Sequence, residues 1–188
     1  ITANMSTNGG HVYVGGGSAS ETLNGMTVPS GYATSSTSTL SGISVAGSTI
    51  NSSGGNIRMK GLNNSINGTN TGIIVSNNST ISSGAGSLSL YGQRTGDPNT
   101  SAGLFLGTEI SSSTATGNVT ISSTTGDIYL EGTTAGVNNT HSWCHGFAIV
   151  EYAGDDVSIT STTGNISMFG DASVAANYAG EAVGFVIQ

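Results

Sequence analysis

The sequence predicts an all-β chain wound as a parallel β-solenoid of about five three-stranded rungs. Three observations predict it: a spacing template that recurs five times, glycines at fixed places inside it, and a further apolar segment attached to every copy. The template is an apolar residue, Gly five positions on, apolar residues at seven and nine, and Gly at eleven.

The copies are Met5-Gly10-Val12-Val14-Gly16, Ile50-Gly55-Ile57-Met59-Gly61, Ile81-Gly86-Leu88-Leu90-Gly92, Ile121-Gly126-Ile128-Leu130-Gly132 and Ile159-Gly164-Ile166-Met168-Gly170. Alternation at positions seven to ten is the period of a strand with one buried face. Val12/Val14, Ile57/Met59, Leu88/Leu90, Ile128/Leu130 and Ile166/Met168 therefore point inward. Tyr13, Arg58, Ser89, Tyr129 and Ser167 point outward, as do Gly15, Lys60, Tyr91, Glu131 and Phe169.

The template glycines read as corners where positive φ is needed. The third strand of each rung is Gly42-Ile43-Ser44-Val45, Gly72-Ile73-Ile74-Val75, Gly103-Leu104-Phe105-Leu106, Gly146-Phe147-Ala148-Ile149 or Gly184-Phe185-Val186-Ile187. Segments 62–71, 93–102, 133–145 and 171–183 vary in length, so variable loops are expected at one corner, the side that repeat folds commonly use for function. A β-sandwich also has short strands and Gly-rich turns, but it does not repeat strand order and glycine positions in register. Residues 1–188 read as a single segment, one period of a longer fibre or a subunit that stacks head to tail.

Composition narrows function. Charged residues are 7% of the chain, and roughly three residues in ten are Ser or Thr, far from ordinary usage. Disorder does not fit, because the 35% of hydrophobic residues recur at fixed spacing. The net charge is −7, with Arg58, Lys60 and Arg94 as the fixed cations, so no patch neutralises a run of phosphates and nucleic acid is excluded as a partner. Cys144 is the sole cysteine, which rules out an intrachain disulfide. No stretch has the roughly 18 apolar residues of a spanning helix, so no membrane insertion is expected. The chain opens on Ile1 rather than Met, which reads as a processed chain or an excised piece.

The phrases Thr120-Ile-Ser-Ser-Thr-Thr-Gly-Asp-Ile-Tyr-Leu-Glu-Gly132 and Ser158-Ile-Thr-Ser-Thr-Thr-Gly-Asn-Ile-Ser-Met-Phe-Gly170 resemble the haemagglutinin-type repeats of filamentous haemagglutinin-like adhesins, which are exported by two-partner secretion. The resemblance spans nearly the whole chain, in a signature shared with other β-helical surface fibre proteins. It implies a right-handed parallel β-helix, a secreted or bacterial cell-surface location, and a role in attachment, aggregation or biofilm. No secretion domain and no carbohydrate-dependent motif accompany it.

Candidate chemistry is sparse, and no enzyme activity or cofactor is expected. Glycoside hydrolysis needs two carboxylates at a set separation, whereas the ten acids here are scattered. Asp155 and Asp156 are adjacent, but neighbours on an extended segment face opposite sides, and they read as a solvated turn. His141-Ser-Trp-Cys144-His145 offers two imidazoles and a thiol, short of the four ligands of a structural zinc site. Trp143, on a variable excursion, is a candidate contact for a partner. The pairs Asn4/Ser6, Thr49/Asn51, Thr80/Ser82, Thr120/Ser122 and Ser158/Thr160 predict a polar ladder on one flat face. Its columns mix Thr, Ser and Asn, which fits solvated ladders better than an ice-binding face. Asn-x-Ser/Thr sequons, including those at Asn63 and Asn78, are glycan acceptors in principle.

Two functions follow. In the first, Tyr13, Arg58, Lys60, Tyr91, Tyr129 and Trp143 contact a host or matrix glycan or protein. In the second, the chain is a structural fibre subunit whose partner is itself, joined through Ile1, Met5, Phe185 and Ile187. Writing Gln188 before Ile1 puts Gly184 nine residues ahead of Met5, the offset from Gly72 to Ile81, so the rung continues across the junction.

Overall fold

A computed structural model describes residues 1–65, 71–96, 100–108, 117–136, 143–151, 154–174 and 181–188. Among them there are strands and no α-helix. The first pass of the chain comprises β1 (Met5–Ser6), β2 (Val12–Val14), β3 (Gly16–Leu23), β4 (Met26–Gly31), β5 (Ala33–Ser35) and β6 (Ile43–Ala46). The second is β7 (Thr49–Asn51), β8 (Ile57–Asn63) and β9 (Ile73–Ser76). The third is β10 (Ser79–Ser82), β11 (Leu88–Gly96) and β12 (Thr100–Gly107). The fourth is β13 (Val119–Ser123), β14 (Ile128–Gly136) and β15 (Trp143–Val150), and the fifth β16 (Val157–Ser161), β17 (Ile166–Val174) and β18 (Glu181–Ile187).

Each pass contributes one strand to each of three parallel sheets, ordered β1-β7-β10-β13-β16, β2-β8-β11-β14-β17 and β6-β9-β12-β15-β18. The template sets the register. Met5 pairs Ile50, Ile50 pairs Ile81, Ile81 pairs Ile121 and Ile121 pairs Ile159. Val12, Ile57, Leu88, Ile128 and Ile166 form one column, and Val14, Met59, Leu90, Leu130 and Met168 the next. The buried members of these columns, with Ile43, Val45 and their buried counterparts in the third sheet, make a single apolar core, whereas Met5 in the first pass and Ile166 and Met168 in the fifth, expected to be inward, are exposed at the two ends.

The first two sheets alternate buried and half-exposed residues, as in β8 and β13. In the third sheet β6 alternates as well, but over β12 and β15 the alternation is lost: Ala102–Thr108 and Cys144–Val150 are buried without a break, so these two strands are covered on both faces, and Phe105 and Ala148 form part of a second apolar cluster on the far side.

Two expectations are corrected. Gly10, Gly55, Gly86, Gly126 and Gly164 do not have positive φ, which falls instead on neighbours such as Gly9, Gly54 and Gly84. Their requirement is steric: a Cβ on Gly86 would stand 2.2 Å from the carbonyl oxygen of Gly55, and one on Gly126 would stand 2.1 Å from that of Gly86. Likewise Gly92 and Gly132 lie inside β11 and β14, where a Cβ would meet the carbonyl oxygen of Gly103 at 2.2 Å or of Gly146 at 2.1 Å. The second and third sheets touch there, backbone against backbone.

The segments expected as variable loops are in part strand, and within them 66–70, 97–99, 137–142 and 175–180 lie outside the described residues. β11 and β14 run on past their glycines to Gly96 and Gly136, paired residue for residue, and β12 and β15 pair from Thr100 and Trp143 onward. Length varies at a second corner too, since β12 ends at Gly107 and β13 begins at Val119, whereas β6 ends at Ala46 and β7 begins at Thr49.

A hydroxyl column lines the first corner from within. Thr7 Oγ1 donates to the carbonyl of Ser52 at 3.1 Å, Ser52 Oγ to that of Ser83 at 3.2 Å, and Ser123 Oγ to that of Gly86 at 3.1 Å. Side-chain amides do the same outside: Asn4 Oδ1 accepts from Thr49 N, Asn78 Oδ1 from Asn118 N, and Asn118 Oδ1 from Asp156 N. Three sequon asparagines, Asn4, Asn78 and Asn118, are thus rungs of an amide ladder, and a fourth, Asn63, is fully buried.

Candidate binding and assembly surfaces

The outer face of the second sheet divides into two parts. Over the first two passes it is occupied by an antiparallel hairpin, β3–β4, in which Leu23 pairs Met26 across Asn24 and Gly25. Both turn residues have positive φ, 49° and 79°, as a two-residue type I′ turn requires. The Leu-Asn-Gly-Met sequence signals this hairpin, which lies outside the repeat template. Glu21 forms an ion pair with Arg58, Lys60 Nζ donates to the Ser30 carbonyl and sits 4.8 Å from the centroid of Tyr32, and Asn24 donates to the Tyr13 hydroxyl at 2.6 Å. The Arg58 hydrogen bond lowers the Glu21 pKa. Tyr13, Arg58 and Lys60 therefore do face outward, but onto this hairpin.

Over the later passes the same face carries Tyr91, Tyr129, Glu131 and Phe169. Register places Tyr91 beside Lys60 and Glu131, and Glu131 beside Phe169. The rings of Tyr91 and Tyr129 lie 5.3 Å apart, tilted by 40°. Tyr129 donates its hydroxyl to Glu131 Oε2 at 2.7 Å, and this hydrogen bond to a carboxylate raises its pKa to about 12. Burial, then the negative field of Glu131, raises that of Tyr32. Gln93, Thr133 and Asp171 form the neighbouring outward column.

The two ends of the stack differ. In the fifth pass Ile166 is 41%, Met168 43%, Phe185 37% and Ile187 63% exposed. In the first, Met5 is 36% exposed, but Val12 and Val45 are buried. Ile1 packs on this end: its ammonium donates to the Ser44 carbonyl, and its own carbonyl accepts from Ala46 N at 3.1 Å. Ile1 therefore stands beside Val45, in the column that Ile187 occupies at the far end. A neighbour joining across the predicted junction must displace it.

Other sequence candidates fall elsewhere. Trp143 pairs Thr100 and Glu181 through its backbone, and its side chain lies outside the described residues, as does His141. Cys144 and His145 are buried in the third sheet, and no cluster of three His, Cys, Asp or Glu exists among the described residues. Arg94 is fully buried beyond the glycine contact, its Nη1 within 2.6 Å of Asn63 Oδ1 and 2.8 Å of the Ser65 carbonyl. Asp155 is not a solvated turn residue: it is buried, accepting from Thr108 Oγ1 at 2.7 Å and from Gly117 N at 2.8 Å. Asp156 is exposed.

No family model, curated protein or solved structure matches the chain.

Proposed function

We propose that the chain is a segment of a right-handed parallel β-solenoid with no enzymatic role, displayed on a bacterial surface or secreted as part of an adhesive fibre. The observation that carries this reading is the in-register pairing of all five passes in three parallel sheets, which gives a stiff stack with repeated outward columns. Tyr91 and Phe169 present aromatic surface on one such column and Tyr129 on the next, the kind of side chain that anchors partners. Attachment of coated beads to host cells or matrix, lost on replacing Tyr91 and Phe169 by Ala, tests it.

The uncovered fifth pass favours a second reading, a structural filament subunit. Edge strands recruit further strands, and the surface complementary to this end is another layer of the same repeat, supplied by continuing chain or by a second copy. A contact joining unlike ends is heterologous and gives an open filament. Electron microscopy should then show a rise of about 24 Å per subunit, from five layers at ~4.8 Å. Filaments that persist in Phe185→Lys, or particles that stay dispersed at high concentration in the unmodified protein, refute the stacking reading.

A further inference from the structure

We infer that the outer face of the second sheet, over passes three to five, binds a neutral saccharide chain laid along the stacking direction. The inference rests on the adhesin reading and gives it a ligand class. Three rings, Tyr91, Tyr129 and Phe169, surround one carboxylate, Glu131, on adjacent strands, and Phe169 is 49% exposed. The faces of aromatic rings carry negative charge density, so they attract the weakly positive C–H bonds of a pyranose ring. Successive strands place these side chains ~4.8 Å apart, a spacing that offers a contact to each successive sugar of an extended chain.

Polar groups flank the rings on both sides, as a hydroxyl-rich ligand requires. Ser89 and Ser167 pair with Tyr129 on one side, and Gln93, Thr133 and Asp171 form the column on the other. Together with Glu131 they supply acceptors and donors without fixed positive charge. Tyr129 is held by its hydrogen bond to Glu131, so one ring is positioned before any ligand arrives.

Charge selects among occupants. The nearest cations, Arg58 and Lys60, are engaged by Glu21 and by the Ser30 carbonyl. Glu131 and Asp171 remain on the face of a chain whose net charge is −7, which disfavours sulfated or uronic-acid chains and nucleic acids. An apolar peptide would take water from Ser89, Ser167 and both carboxylates and return no hydrogen bond to them. The β3–β4 hairpin ends the face on the side of the first pass, so the path is open toward β17.

The test is affinity electrophoresis of the full chain in gels containing mixed-linkage β-glucan, galactomannan or arabinoxylan, with heparin as the acidic probe. At least one neutral polysaccharide should retard the protein while heparin does not. Tyr91→Ala and Phe169→Ala should each weaken that retardation about tenfold with unchanged urea midpoints, since both side chains lie on the outer face. Glu131→Lys should bring heparin retardation that the unmodified protein lacks. Absence of retardation by all three neutral polysaccharides, retention of it in the Tyr91→Ala/Phe169→Ala double variant, or tighter binding to heparin than to any of them overturns the proposal. Attachment to cells or matrix by the unmodified protein when none of the neutral polysaccharides retards it would leave the adhesin reading intact and sink this one alone.

Discussion

The glycines at the first corner allow one substitution to be compared at equivalent places in the stack. A Cβ on Gly86 would lie 2.2 Å from the Gly55 oxygen, 2.4 Å from its carbonyl carbon and 2.8 Å from Asn56 N, all backbone atoms. Relieving the shortest contact to the 3.4 Å of ordinary packing moves the two passes apart by about 1.2 Å. That displacement would break two hydrogen bonds at the same corner, Ile57 N to the Ser87 carbonyl and Ser87 N to Asn56 Oδ1, both 2.9 Å. Overpacking costs about 1–3 kcal/mol and each hydrogen bond about 0.5–1.5 kcal/mol. Loss of unfolded-state freedom on Gly→Ala returns about 0.4–1 kcal/mol. Gly86→Ala should therefore destabilise by about 3 kcal/mol, within a range of about 1–6 kcal/mol. Gly10, in the first pass, has Thr7 Cβ at 3.5 Å as its nearest neighbour and no positive φ, so in this chain Gly10→Ala should be neutral or stabilising by up to about 1 kcal/mol. Urea denaturation followed by far-ultraviolet circular dichroism, at unchanged m, measures both. Equal stability of the two variants would refute backbone-on-backbone packing of the passes.

Further outcomes follow from the core, the clamp at Asp155 and two ionisable groups. Ile128→Asp, at a site with no solvent exposure, should abolish folding near neutral pH by burying an unpaired charge; a soluble variant with unchanged circular dichroism would contradict the core assignment. Asp155→Ala should lower the urea midpoint through two lost hydrogen bonds to a charged group, about 1.5–3 kcal/mol each, while Asp156→Ala should leave it unchanged; equal effects would sink the clamp. In spectrophotometric titration Tyr129 should ionise at about 12 and return toward the ordinary tyrosine range in Glu131→Gln. Because its folded pKa is raised, the stability it contributes is present below pH ~10 and is lost as pH rises toward 12. Glu21 has the opposite sign, since its folded pKa is lowered: its contribution is present above the unfolded value and fades on acidification, so a hairpin that stays equally protected from protease at low pH and high salt would argue against the Arg58 ion pair.

The strand columns were legible in the sequence because register in a parallel pair is set by the same spacing that sets burial: once Ile50 lies on Ile81, the positions seven and nine residues on must coincide. What the glycines do was not legible, because a corner needing positive φ and a backbone contact needing no side chain both select Gly, and only the approach of Gly55 to Gly86 separates them. The hairpin went unread because it interrupts the period, although Asn24-Gly25 carries its own turn chemistry. The covering of the third sheet was visible in principle: Leu104-Phe105-Leu106 and Phe147-Ala148-Ile149-Val150 lack the alternation of a half-solvated strand. On the outer face, the direction of Tyr13, Arg58 and Lys60 followed from alternation, whereas their occupation by Glu21, Asn24 and Ser30 depends on a contact between segments that no local pattern encodes.

The buried serines of the first corner bear on how such a chain changes size. Each hydroxyl bonds to the adjacent pass, Ser52 to Ser83 and Ser123 to Gly86, so the chemistry needed at any level is supplied by its immediate neighbour. In a globule, enlarging the core alters the ratio of surface to volume and every packing distance within it. In the proposed solenoid a duplicated or deleted pass leaves the cross-section as it was, and stability accrues as a sum of interfaces between neighbouring passes. Length is thereby released from the constraints that fix width, and unequal recombination between repeats becomes a gentle operation on the fold.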